Sequence, residues 1–336
     1  MEKKLVQYSV VSIHSLSSVS FPCHPVAHAF RPTRVDAFTD TAFKGNPAAV
    51  CILEEEREEE WLQAVAREFN ISETCYLTRA SGSELTGGSS PRFRLRWFTP
   101  VEEVDLCGHA TLAAAHTLFT SGMVDSDTIE FMTLSGIMTA KRVPETKSSD
   151  ISKIQSGDVP GIWIELNFPV VPITEDDDAK RITSFSKVLN GTSIIEIKKT
   201  AKGDHFIVIP SAKEVEEFQP QFDEIQRCPG RGIIITGSAQ PDSGFDFVSR
   251  FFAPKLGVNE DPVCGSAHCA LAPYWSEKLG KNEFVAYAVK SLSLSLSLSQ
   301  TASSRGGVVK VCLDEQNHRV ALRGKAVTVM RGSLLA

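Results

Sequence analysis

The chain has 336 residues, 42% apolar and 23% charged, an ordinary globular composition at a length that allows two domains. A net charge of −6 gives no general attraction to nucleic acid or to an anionic membrane, and no apolar run approaches the ~20 residues that span a bilayer. The eight cysteines (Cys23, Cys51, Cys75, Cys107, Cys228, Cys264, Cys269 and Cys312) form no C-x-x-C pair and have no finger-like histidine spacing. They read as reduced thiols of a cytoplasmic compartment, with no structural metal site expected.

Residues 1–34 form an N-terminal extension or inserted segment. Lys3 to Val10 start as a strand, a Ser-rich stretch follows, and Glu2 is the sole acid against Lys3, Lys4, Arg31 and Arg34. This composition fits an organelle transit peptide. An insertion splitting one strand, with Gln7–Val10 continuing at Val35–Phe38, fits better.

The folded chain begins at Val35. Lys44-Gly45-Asn46-Pro47 predicts a turn, and Ala48 to Cys51 a short buried strand or the start of a crossover. Six glutamates around Arg57 precede Trp61, Leu62, Val65 and Phe69 at helical spacing, a solvated helix start suited to the dipole. Asn70 to Leu77 runs from that helix into a strand, residues 80–90 form a Ser/Gly loop, and Arg94 to Phe98 form the next strand. The helix from Gly108 is apolar around most of its circumference, which predicts burial inside a curved sheet. Strands follow at Thr128–Met132, Ile137–Arg142 and Ile162–Phe168.

The second half repeats the first. Arg96-Trp97-Phe98-Thr99-Pro100 and Asp105-Leu106-Cys107-Gly108-His109 return as Arg250-Phe251-Phe252-Ala253-Pro254 and Asp261-Pro262-Val263-Cys264-Gly265-Ser266. Lys202-Gly203-Asp204-His205 echoes Lys44-Gly45-Asn46-Pro47; Gly45 precedes Cys107 by 62 positions and Gly203 precedes Cys264 by 61. Pro273 predicts a kink or an end in the second apolar helix. Ser291 to Ser299 alternates Ser and Leu, read as part of a low-complexity inserted loop over 289–301. Val308–Leu313, Arg319–Arg323 and Ala326–Met330 finish the sheet.

Two glycine-flanked helix entrances, at Gly108 and Gly265, offer free backbone N–H groups to an anion from both sides, and each Gly would let a ligand approach the backbone. A tight strand-to-helix turn is the simpler use of either glycine alone; the matched pair favours a site. Strand alternation places Glu73 on one face with Cys75 and Leu77, where burial would bring its carboxyl into general acid/base range. His109 at the first entrance could donate to a substrate or cap the helix. Asp261 and Ser266 flank the second entrance with the same two options. Cys107 and Cys264, at helix N-termini, could instead serve as the two bases of an epimerase or racemase, or be small core residues.

Together these segments resemble the phenazine-biosynthesis isomerase (PhzF-like) family of the diaminopimelate-epimerase-like fold, from Val35 to about Leu335. The resemblance rests on Asp36-Ala37-Phe38, Phe43 to Val50, Ser72-Glu73-Thr74, Asp105 to Thr111 and Glu260 to Ala267. It implies an α+β fold of two pseudo-symmetric half-domains, each a curved, barrel-like mixed sheet around an apolar helix. The first would span 35–165 plus a C-terminal strand near 325–336, and the second 166–324. It further implies a cofactor-free, metal-free proton shift on a small carboxylate-bearing or amino-acid-like substrate, with a homodimer as the common assembly. Glu73 falls on the family's proton shuttle. His109, Asp261 and Ser266 fall on its supporting groups, beside Gly108, Gly265 and Asn46. Cys264 departs from the Thr frequent at its position, which keeps the two-thiol epimerase open as an alternative, and a non-catalytic carboxylate binder is the third reading. Both Ser-rich stretches look like additions to the family pattern.

Overall fold

The computed structural model describes residues 32–81, 90–144, 161–176, 188–189, 191–289 and 305–334. The expectations for residues 1–31, for the loops within 82–89 and 145–160, and for 290–301 lie outside the described residues.

The first half contains β1 (Thr33–Ala37), β2 (Asn46–Leu53), α1 (Glu59–Phe69), β3 (Glu73–Arg79), β4 (Arg92–Phe98), β5 (Glu103–Val104), α2 (Gly108–Ser121), β6 (Thr128–Thr133), β7 (Gly136–Val143) and β8 (Trp163–Pro169). The second contains β9 (Ile173–Glu175), β10 (Glu196–Thr200), β11 (His205–Val208), α3 (Ala212–Glu217), α4 (Phe222–Arg227), β12 (Ile233–Ser238), β13 (Phe247–Ala253), β14 (Val258–Asp261), α5 (Gly265–Leu279), β15 (Glu283–Ala288), β16 (Gly307–Asp314), β17 (Arg319–Gly324) and β18 (Ala326–Arg331). The short helices α3 and α4 have no counterpart in the sequence reading.

All these strands join one mixed, open ladder. From β18 it runs through β1, β2, β3, β4, β6, β7 and β8, and crosses at β8–β17. It continues through β16, β15, β13, β12, β11 and β10 to β9, with β5 and β14 paired onto β4 and β13. The parallel pairs fall at matching places: β2–β3 and β4–β6 in one half, β11–β12 and β13–β15 in the other. The expected boundary at 165/166 falls inside β8, which pairs along its length with β7 and β17.

Both faces of β2 and β3 are covered, which explains their unbroken buried runs. Cys51, Leu53 and Tyr76 pack outward with Leu62 and Val65 of α1. Ala48, Val50, Cys75 and Leu77 face inward with Ala110, Leu112 and Ala113 of α2. Every residue of α2 from Gly108 to Phe119 is buried. The Ala113-Ala114-Ala115 run favours helix, and the hydroxyls of Thr111 and Thr117 donate to the carbonyls of Cys107 (2.5 Å) and Ala113 (2.9 Å), so burial leaves neither unsatisfied. Gly122, at φ 74°, ends the helix in a left-handed cap.

A duplicated ion pair marks the repeat. Arg96 binds Glu103 at 2.6–2.7 Å with its guanidinium 5.1 Å from the Phe98 ring centre, and Arg250 binds Glu260 at 2.7 Å with its guanidinium 4.9 Å from that of Phe252.

Of the two outcomes expected at Pro273, an end is excluded: helix α5 continues through it to Leu279. The carbonyl that loses its intrahelical donor, that of Cys269, accepts instead from the Val171 N–H at 3.0 Å, so the missing hydrogen bond is replaced from outside. Strand β1 ends one residue early, because Phe38 turns to φ 60° and buries its ring over Gly324, where a Cβ would lie 2.5 Å from the ring edge.

Candidate active site

The N-termini of α2 and α5 meet head to head. A Cβ on Gly108 would lie 2.6 Å from the Gly265 Cα, and a Cβ on Gly265 would lie 2.7 Å from the Gly108 Cα. The close approach expected between each glycine and a ligand is made, on the Cα side, between the two helices. Neither helix has a side-chain N-cap: Cys107 and Cys264 occupy the cap positions without capping hydrogen bonds. The capping roles open to His109, Asp261 and Ser266 are therefore unfilled by them.

The strands bring the remaining groups to this junction. Asn46 opens β2, Glu73 opens β3 beside Ala48, and Asp261 closes β14. Asn46 reaches across the halves, its Nδ2 donating to Asp261 Oδ1 at 2.5 Å and to the Val263 carbonyl at 3.0 Å. Ser266 Oγ lies 3.4 Å from Cys264 Sγ, and His109 Nδ1 lies 3.5 Å from Cys107 Sγ.

Three buried atoms here make no hydrogen bond among the described residues: Glu73 Oε2, His109 Nε2 and Asn46 Oδ1. Buried polar atoms are almost always paired, because each orphan costs ~1–3 kcal/mol. Three of the ten such atoms among the described residues lie at this junction, open to a ligand's polar groups.

Burial pushes the Glu73 carboxyl well above the usual carboxylate range, the Asp261 charge adds to this, and the Arg231 charge opposes it. Burial lowers the His109 pKa and so favours a neutral ring, against a smaller raising by Asp261. Burial also raises both thiols well above their ordinary value, with Glu73 and Asp261 adding at Cys107 and Asp261 at Cys264. A thiol that keeps its proton can donate it to His109 Nδ1, which places the ring hydrogen on the unpartnered Nε2 as a donor.

Arg231 was missed by the sequence reading. It stands 28 positions after Gly203, as Glu73 stands 28 after Gly45, a spacing that could have drawn attention to it. It follows a Pro229-Gly230 turn, and its guanidinium forks onto Asp204 at 2.9 and 2.7 Å. Among the described residues, no group of three His, Cys, Asp or Glu side chains could hold a metal ion, and no helix is long and apolar enough to cross a membrane.

Comparison with known proteins gives the family. An uncharacterized isomerase from Halalkalibacterium halodurans is 42% identical over 303 residues, covering 90% of this chain and 97% of the relative. The mouse phenazine biosynthesis-like domain-containing protein 1 is 37% identical over 315 residues, with 90% and 97% covered. The crystal structure of a PhzF family phenazine biosynthesis protein from Enterococcus faecalis superposes with a TM-score of 0.69 at 34% identity, over 92% of this chain and 100% of that one. The protein is thus, by class, an isomerase of this two-part α+β fold. Residues 35–332 match the phenazine biosynthesis-like protein family (PhzC-PhzF), and the chain belongs to it.

Proposed function

We propose that the protein moves a proton within a small carboxylate-bearing substrate, with Glu73 as the single acid/base. The observation that carries this reading is the buried, unpartnered Glu73 Oε2 beside the equally unpartnered His109 Nε2 and Asn46 Oδ1. As a carboxylate, Glu73 takes a proton from carbon next to an electron-withdrawing group, and the C–H electrons move into that group. The protonated carboxyl then returns the proton to another carbon of the same molecule. A raised pKa serves both halves, since it strengthens the base and keeps the conjugate acid present to a higher pH than an ordinary carboxyl would. The shift is redox-neutral and calls for no electron acceptor.

His109 Nε2–H and the uncapped entrances of α2 and α5 stabilise the charge that develops on the accepting group. Asp261, fixed by Asn46, and Ser266 orient the substrate from the second half. The raised pKa of Cys107 and Cys264 opposes the thiolates that a two-base epimerase would use, and this supports Glu73 over that alternative.

The test is a small-molecule acid screen in heavy water. Wild-type protein should introduce deuterium into its substrate, and Glu73→Gln should bind that compound while exchanging ~10²–10⁴-fold more slowly. Undiminished exchange by the variant would overturn the assignment. Exchange abolished by alkylating Cys107 and Cys264, with Glu73→Gln unaffected, would move it to the thiols.

A further inference from the structure

Next to Ser266 the cleft opens into a hollow lined by Leu106, Thr200, Lys202, Asp204, Arg231 and Ser266. Part of it is open to solvent and its enclosed space holds about one water-sized group, so it suits one end of a ligand and not a whole one.

The structure spends much on placing Arg231 here. Its N–H donates to the Gly203 carbonyl at 2.9 Å. The preceding turn is clamped by the buried His205, which lies 2.7 Å from the Pro229 carbonyl and 2.5 Å from Asp176, and by Lys255, which donates to the Gly230 carbonyl at 2.8 Å. Gly230 has φ 86°, and a Cβ there would lie 2.6 Å from the Gly203 carbonyl oxygen. The side chain is oriented in turn by Asp204, which takes Nε and Nη2. That fork uses one edge of the guanidinium. The end-on edge, formed by Nη1 and the second hydrogen of Nη2, has no partner among the described residues, and the side chain is 24% exposed. Lys202 supplies a second cation, held by Asp105 from the first half and 30% exposed.

We propose that this hollow is a second anion subsite, in which the end-on edge of Arg231, assisted by Lys202, binds a carboxylate of the substrate in a two-pronged contact. The substrate is then a small diacid: one acidic group sits at Arg231, and the reacting carbon lies at Glu73 with the rest of the molecule alongside the two helix entrances. The assignment rests on reading the cleft as the isomerase site. It adds what that reading lacks, a chemical class for the substrate. A pre-oriented arginine suits such recognition because little ordering is left to be done on binding.

Calorimetric titration of the full chain tests it with matched acids, succinate and glutarate against butyrate and valerate. Wild type should bind the better diacid about ten-fold or more tightly than its monoacid partner. Arg231→Gln, shown to be folded by circular dichroism, should bring the two within about two-fold, and Arg231→Lys should restore part of the difference by charge without the fork. If Arg231→Gln does not fold, Lys202→Gln reads the same preference and should weaken it. Equal binding or no binding of diacids by wild type, or a preference that survives Arg231→Gln, would overturn the subsite. Tighter binding of 3-phosphonopropionate than of succinate would overturn the carboxylate in favour of a phosphoryl group. Glu73→Gln should keep the diacid preference, so a failed exchange assay and a failed subsite are separate results.

Discussion

Glu73 is held where its proton is hard to remove, and that has a signature in stability as well as in catalysis. The folded-state pKa lies above the ordinary 4.5, so the folded state binds more protons than the unfolded state in the window that opens there. Stability is therefore full below about pH 4.5 and is lost as pH rises through the folded value. Glu73→Gln, which cannot ionise, should be more stable than wild type at pH 8 and close to it at pH 4; urea denaturation at the two pH values checks this. A variant no more stable at pH 8 would show that the carboxyl is solvated after all. Glu73 was legible because strand alternation put it on the face of Cys75 and Leu77. Arg231 was not. Its neighbours Pro229, Gly230 and Gly232 carry no chemistry of their own, and its meaning depends on Asp204, a partner 27 residues away that only pairing of β11 with β12 brings near.

At the scale of the element, the two central helices define the cleft by touching at glycine. Gly108→Ala or Gly265→Ala would drive a methyl group into the facing backbone, which cannot swing aside as a flexible side chain could. Each substitution should cost ~1–3 kcal/mol, and the helix displacement should reduce heavy-water exchange more than it reduces stability. Urea denaturation alongside the exchange assay measures both; unchanged values would mean that the helices do not meet. The entrances themselves were readable, because the motif around Cys107 returns around Cys264 at almost the same spacing. That the glycines serve helix contact was not readable, since it takes two segments 157 positions apart to make it. Pro273 teaches the same lesson. A local rule predicts a kink or an end, the helix does not end there, and a distant donor, the Val171 N–H, takes up the carbonyl that Pro273 leaves without one.

For the whole molecule, the interior of both halves is continuous. One apolar cluster includes Leu112 and Leu118 of α2, Leu271 and Trp275 of α5, and strands from both sides of β8–β17. Three histidines are buried in these helices: His109 at the cleft, and His116 and His268, both of which burial lowers to about 4. The unfolded chain takes up these protons near pH 6.5, so the stability that the neutral rings confer is present above that value and is lost as pH falls towards 4. The loss is ~1.4 kcal/mol per pH unit for each ring. Urea midpoints at pH 7 and pH 5 should differ accordingly, and the difference should shrink in His116→Gln/His268→Gln. An unchanged difference would place the acid sensitivity elsewhere.

The order of the ladder also bears on how the protein is made. Strand β1 pairs with β18, Thr33 opposite Arg331, while β9, which directly follows the first half, pairs with β10 of the second. The second half thus lends its last strand, β18, to the first, and the last strand of the first half, β8, joins the two at β17. On the ribosome, the half synthesised first has to wait with the β1 edge uncovered until the chain has been translated through Arg331. Non-local closure of this kind folds slowly and leaves an edge open to wrong partners meanwhile. Nascent chains halted before β18 should be the form that chaperones hold.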